Sequence, residues 1–264
     1  DNVINSTNTV SLTAYTNVGC TAASGGTFNG GSKAAVAGVA TFTAVNHELA
    51  ETVYLKASEG ALTTDCSTSV VISAAAANKL AYSTQPSGTG TAGSNLATQP
   101  VVDIQDTYGN ITTNTDTVTL TAFTNSGCSS ASGGTLNGGS KAAVSGASTF
   151  TALNHEKAET VYLKAASGGF TTDCSTSVVV SAAAGASLAF TVQQNAENLT
   201  STNLTTMPNV QISDAFGNVV DSATDTVTLT PFTNGGCTVA GAGTISGGAV
   251  AANGSNGTAV FTAT

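Results

Sequence analysis

The segment Thr9-Val10-Ser11-Leu12-Thr13-Ala14-Tyr15-Thr16-Asn17 returns 108 positions later as Thr117-Val118-Thr119-Leu120-Thr121-Ala122-Phe123-Thr124-Asn125. It returns again, 109 positions further on, as Thr226-Val227-Thr228-Leu229-Thr230-Pro231-Phe232-Thr233-Asn234. Between the first two copies lie other matched blocks: Asn46-His47-Glu48 with Asn154-His155-Glu156, Thr52-Val53-Tyr54-Leu55-Lys56-Ala57 with Thr160-Val161-Tyr162-Leu163-Lys164-Ala165, and Thr64-Asp65-Cys66 with Thr172-Asp173-Cys174. A period near 108 is too long for small solenoid repeats and matches one whole domain. Ala74-Ala75-Ala76-Ala77 and Ala182-Ala183-Ala184 mark the boundaries, dividing the chain into copies at 1–77, 78–184 and 185–264. The middle copy is expected to be complete. Copy one is expected to lack its opening strands, because Asp1-Asn2 aligns with Gly109-Asn110, and copy three its closing strands, because Phe261-Thr262-Ala263-Thr264 aligns with Phe150-Thr151-Ala152-Leu153. Either more protein flanks these residues, or incomplete units complete one another between chains.

Within the middle copy, short alternating runs are separated by turn signals. Strands are predicted at 80–83, 101–105, 117–122, 149–153, 160–165 and 175–181. Val118, Leu120 and Ala122 should face inward with threonines outward, and Val102 and Ile104 should lie opposite Asp103. Thr and Val suit a pleated, half-buried surface, and the usual helix formers Glu, Lys and Arg are scarce. About seven strands at this spacing, with no helical stripe, predict an all-β fold of two packed sheets, a β-sandwich in each copy. With 41% apolar residues and 8% charged, the chain has core to bury and little charge to expand it.

The turn Asp106-Thr107-Tyr108-Gly109-Asn110 recurs as Asp214-Ala215-Phe216-Gly217-Asn218. Asp106 and Asp214 can bind local backbone N–H groups, Gly109 and Gly217 tolerate positive φ, and Asn110 and Asn218 close the turn. Joined to Thr-Val-Thr-Leu-Thr, to Ala-Ser-Thr-Phe-Thr-Ala-Leu and to Val-Tyr-Leu-Lys-Ala, this turn resembles the bacterial immunoglobulin-like repeats of the invasin and intimin type. The resemblance covers essentially the whole chain. It implies tandem immunoglobulin-like domains with an extracellular spacer or scaffold role, and it carries no catalytic residues over. The cysteines are the departure, since many such domains lack them.

Cys20 and Cys66 recur as Cys128 and Cys174, each pair 46 positions apart, and Cys237 is the first member of a third pair whose partner would lie beyond the chain end. Disulfides suit a secreted domain with a small core. Zinc is disfavoured, because there is no Cys-x-x-Cys and His47 and His155 lack ligand spacing. A bridge of this loop length contributes about 4 kcal/mol on a chain-entropy argument.

Function classes narrow accordingly. A net charge of −9, with six lysines and no arginine, argues against nucleic acid and anionic membrane surfaces. No run approaches the about 18 apolar residues of a membrane span. His47 and His155, each beside an acid (Glu48, Glu156), read as turn or loop residues. No Gly-x-Ser-x-Gly elbow accompanies them, so no enzyme activity and no cofactor is expected. Asp103, Asp106 and Asn110 could offer oxygens to calcium, but Gln211 replaces Asp103 in copy three while the turn persists, which favours a bare structural turn. Lys56 and Lys164 read as outward strand lysines rather than isopeptide donors. The six sequons, at Asn5, Asn110, Asn198, Asn203, Asn253 and Asn256, are as many as chance supplies; glycans remain weakly supported partners. The expectation is a structural repeat of a secreted bacterial surface protein or extracellular filament, located outside the cell or on its surface. It would bind copies of itself end to end, laterally or by strand exchange. The alternative is an adhesin or carbohydrate-binding stalk module acting through end loops, weakened by the absence of Trp.

Overall fold

The computed structural model describes residues 5–194 and 202–262; Asp1, Asn2 and the Asn198 sequon fall outside them. The described residues form strands and turns without helix, so no helix among them is long and apolar enough to cross a membrane.

Copy two shows how the strands are layered. One sheet runs, in order, Ser140–Ala142, Thr117–Phe123, Thr160–Ala166, Val178–Ser181 and Thr89–Thr91, with Asp173–Cys174 also paired to Thr160–Ala166. Its pairs are antiparallel except the last, where Val179 to Ser181 run parallel to Thr89 to Thr91. The second sheet orders Ala147–Thr149, Val101–Gln105 and Lys79–Thr84. The long central pairing sets Thr119 opposite Ala166 and Phe123 opposite Tyr162. Because side chains alternate along a strand, that register sends Val118, Leu120 and Ala122 inward together with Val161, Leu163 and Ala165. They meet Leu80, Val102, Ile104, Phe150 and Leu153 in one buried core. Side chains also stitch the layers. The Tyr82 hydroxyl donates to the Leu163 carbonyl at 2.8 Å, and the Tyr82 N–H donates to Asp173 Oδ2 at 3.1 Å.

Two details depart from the sequence pattern. The strand expected at 149–153 ends at Thr149; beyond it, Phe150 N–H donates to the Pro100 carbonyl and Leu153 N–H to the Gln99 side chain at 2.8 Å. Phe150 and Leu153 are therefore buried from a turn. Asp103 pairs in regular register between Val102 and Ile104, as the alternation expects, but it is buried as they are, so both faces of this strand are covered.

Disulfides join Cys20 to Cys66 and Cys128 to Cys174, with Cα atoms 6.2 and 6.3 Å apart, while Cys237 is free and exposed. Each bridge ties the turn after the first long strand to the two-residue strand of the second cysteine. Copy three has a smaller core around Val210, Ile212, Val227, Ala259 and Phe261. Leu188 is 60% exposed there, against 4% for Leu80 at the same place in copy two. Lys56 and Lys164 do not stand free in solvent; their ammonium groups lie 5.5 and 5.8 Å from the ring centres of Tyr15 and Phe123.

Leu163→Ala should destabilise copy two by about 2–5 kcal/mol, since Leu163 is fully enclosed. Val144→Ala, at an exposed hairpin tip, should change it by no more than about 0.5 kcal/mol. Urea unfolding followed by amide exchange within copy two measures both.

Candidate functional site: the joint between copies

The Asp-x-x-Gly-Asn turn closes on itself first. Asp106 N–H donates to the Asn110 carbonyl at 3.0 Å, Gly109 N–H returns to the Asp106 carbonyl, and Gly109 adopts a φ of 95° that a Cβ would oppose. The Asp106 carboxylate then takes four N–H donors, all at 2.9 Å: Tyr108 and Asn110 backbone on Oδ1, Ala75 backbone and the Asn110 amide on Oδ2. Ala75 belongs to the alanine stretch that ends copy one, so a carboxylate from copy two fixes the linker. Burial pushes the Asp106 carboxyl up, but the Asn110 side chain and the N–H groups of Ala75, Asn110 and Tyr108 outweigh it and hold it below its ordinary value.

Asn110 completes the joint. Its Nδ2 donates to the Glu48 carbonyl at 2.8 Å, and its Oδ1 accepts from Ala50 N–H at 2.8 Å. One amide side chain thus reads both a donor and an acceptor on the backbone of copy one. The arrangement recurs between copies two and three. Asp214 accepts from Phe216, Asn218 and Ala183 N–H groups and from the Asn218 amide, and Asn218 brackets the Glu156 carbonyl and Ala158 N–H, with the same distances. The second joint adds a contact. The Phe216 ring rests on Gly93, where a Cβ would lie 2.1 Å from the ring, and Gly93 N–H is held by the His155 carbonyl.

The receiving loops, 48–50 and 156–158, are framed in each copy by a trio built on a buried histidine. His47 Nε2 lies 2.9 Å from Glu51 Oε1 and 3.2 Å from Ser24 Oγ, and Ser24 Oγ donates to Glu51 Oε1. In copy two His155 Nε2 lies 3.1 Å from Glu159 Oε1 and 3.4 Å from Ser132 Oγ, and Ser132 donates to Glu159. The sequence sets each histidine beside an acid and reads as a turn or loop there. The structure instead buries both rings, points Glu48 and Glu156 to Asn29 and Asn137, and brings back the acid four residues on. The legible signal was Ser-Gly-Gly together with His-x-x-x-Glu, repeated 108 residues apart. The serine and the carboxylate meet the same imidazole nitrogen, and Nδ1 has no partner, so the trio lacks the relay of a nucleophilic serine.

The remaining expected oxygens do not converge. Asp106 is saturated by N–H donors, and among the described residues no group of three or more His, Cys, Asp or Glu could hold a metal ion. The Asn110 sequon lies inside the joint.

No family model and no curated protein matches this chain. Among solved structures it is similar to a β-glycosidase from Bacteroides vulgatus at 14% identity with a TM-score of 0.33, over 66% of this chain and 21% of that one. At that level the likeness carries no functional argument. The chain spans about a fifth of the glycosidase's length.

Asn218→Ala should remove both bracket bonds and cost the joint about 1–3 kcal/mol, with faster exchange at the Ala158 amide and unchanged exchange at Leu120. Gly93→Ala should loosen the same joint through the Phe216 ring, without affecting Ala50.

Proposed function

We propose that the chain is a run of tandem immunoglobulin-like β-sandwich domains serving as a stiff structural spacer in a secreted bacterial surface protein or extracellular filament. The observation that carries this reading is the joint: the same six side-chain hydrogen bonds recur at both copy boundaries, with matching distances. A flexible tether needs no buried carboxylate at its hinge. A spacer that must hold its length does, because each domain is then fixed against the last by bonds that break only together. Two disulfides and the absence of a membrane-crossing helix among the described residues are compatible with life outside the cell.

The strand edges bear on how such rods associate. The edge strands Ser32–Ala34 and Ser140–Ala142 each carry one exposed lysine, Lys33 and Lys141, where a charge blocks pairing with another chain. Association with copies of itself is therefore directed away from these two edges.

Small-angle scattering of the full chain should give a rod-like profile that Asn110→Ala and Asn218→Ala shorten and broaden, and sedimentation velocity should show association that grows with concentration. A profile of freely hinged beads in the unaltered chain would refute the spacer, and a monomer at every concentration would refute self-association.

A further inference from the structure

We propose that each Ser–His–Glu trio is the latch of the joint that follows it, holding the receiving loop in the shape the incoming asparagine needs, and that acid releases it. The argument begins with position. His47 and Glu51 stand at the two ends of loop 48–50, and His155 and Glu159 at the ends of loop 156–158. Their side-chain contact closes the loop across three residues, and the two backbone groups that Asn110 or Asn218 grips lie inside that closure. The first residue of the loop is held separately, by the Glu48 and Glu156 N–H bonds to the Thr27 and Thr135 carbonyls and by Asn29 and Asn137, while Leu49 is exposed and the Lys157 side chain half exposed, so the trio holds the far end.

The seat of the latch is rigid. A Cβ on Gly26 would lie 2.6 Å from His47 Cε1, and one on Gly134 would lie 2.7 Å from His155 Cε1, so each imidazole is pressed against a glycine that cannot be replaced without moving it. The serine is fixed too, because its Oγ accepts from the N–H of that same glycine. Protonation of the carboxyl removes its charge and turns one oxygen into a donor, which weakens the contact that closes the loop while the ring has no room to find another partner.

The charges decide the pH response. Around Glu51 stand Ser24 and His47, whose hydrogen bonds hold its carboxyl below its ordinary value against burial. Around Glu159, burial raises the carboxyl while Lys157, Ser132 and His155 lower it further, for a net value below the ordinary one. Glu48 and Glu156 face Asn29 and Asn137, and across the joint Asp106 and Asp214 are each saturated by N–H donors. A carboxyl depressed by folding contributes fully above its ordinary value of 4.5 and loses that contribution as pH falls through the folded value. The two joints differ in one charge. Lys157 donates to Glu159 Oε2 at 2.9 Å, and the corresponding residue in copy one is Leu49. The second carboxylate thus has one more partner than the first, set against the larger effect of its burial. This inference concerns the joints alone and stands whether or not the rods associate.

Amide exchange of the full chain, corrected for intrinsic rates, tests it. Between about pH 6 and about pH 3.5, protection at Ala50 and Ala158 should fall by about tenfold or more, while Leu120 in the copy-two core stays protected. Ala183, bonded to Asp214, reports the neighbouring carboxylate separately. In Glu159→Gln, Ala158 should already exchange fast at about pH 6 and lose its pH dependence, with Ala50 unchanged. Retained protection at both amides in acid, or a fall only in step with Leu120, overturns the latch. So does an acid response at Ala158 that survives in Glu159→Gln. If that variant does not fold, the unaltered chain's Ala50, Ala158 and Leu120 profiles decide alone.

Discussion

A carboxylate withdrawn from water at a boundary between two units is tolerable only if the protein replaces the water it loses. Asp106 and Asp214 meet that condition with four N–H donors each, drawn from their own turn and from the alanine linker behind them. The consequence is cooperative. Moving the linker strips a donor from a buried charge, and moving the turn strips the others, so the boundary has one low-energy arrangement. Disulfides brace copies one and two and buried cores hold copies two and three, whereas these carboxylates and the asparagine brackets bond one copy to the next.

The alternation of Thr117–Phe123 was readable because one face of that strand meets a core and the other meets water, which imposes a period of two. Readability failed where side chains took over from backbone pairing. Gln99 claims the N–H of Leu153, so an apolar run that looks like a strand is held as a turn. The burial of Asp103 was likewise not legible, because alternation gives the face a side chain takes and not whether that face is covered. The Asp-x-x-Gly-Asn turn was legible as a turn from its residue types. Its role across the boundary was not, because the groups it grips are backbone atoms 60 and 62 residues away, and backbone atoms leave no mark in a sequence. The histidines were misread for a related reason. Neighbours on a strand point to opposite sides, so the adjacent acid was the wrong partner, and only the reversal of the loop returns Glu51 and Glu159 to the ring.

Recognition through backbone has a further consequence for how the copies differ. Asn110 and Asn218 read a carbonyl and an N–H, which every residue except proline supplies, so the receiving loop is free to vary in side chain. It does vary: Leu49 in copy one stands where copy two has Lys157, and the bracket distances are the same at 2.8 Å. The donor side has no such freedom. Its carboxylate, its positive φ and its amide each need one residue type, and copy three keeps Asp214, Gly217 and Asn218 although Gln211, Pro231 and Gly241 replace the residues found in copy two. Drift is thus absorbed where the chemistry is generic. Gly241 is instructive here, because it stands at the serine position of the trio and cannot supply the hydroxyl that Ser24 and Ser132 give to their carboxylates. The hydroxyl that joins the trio in copies one and two therefore has no counterpart at this position of copy three, so this part of the arrangement is not common to all three copies.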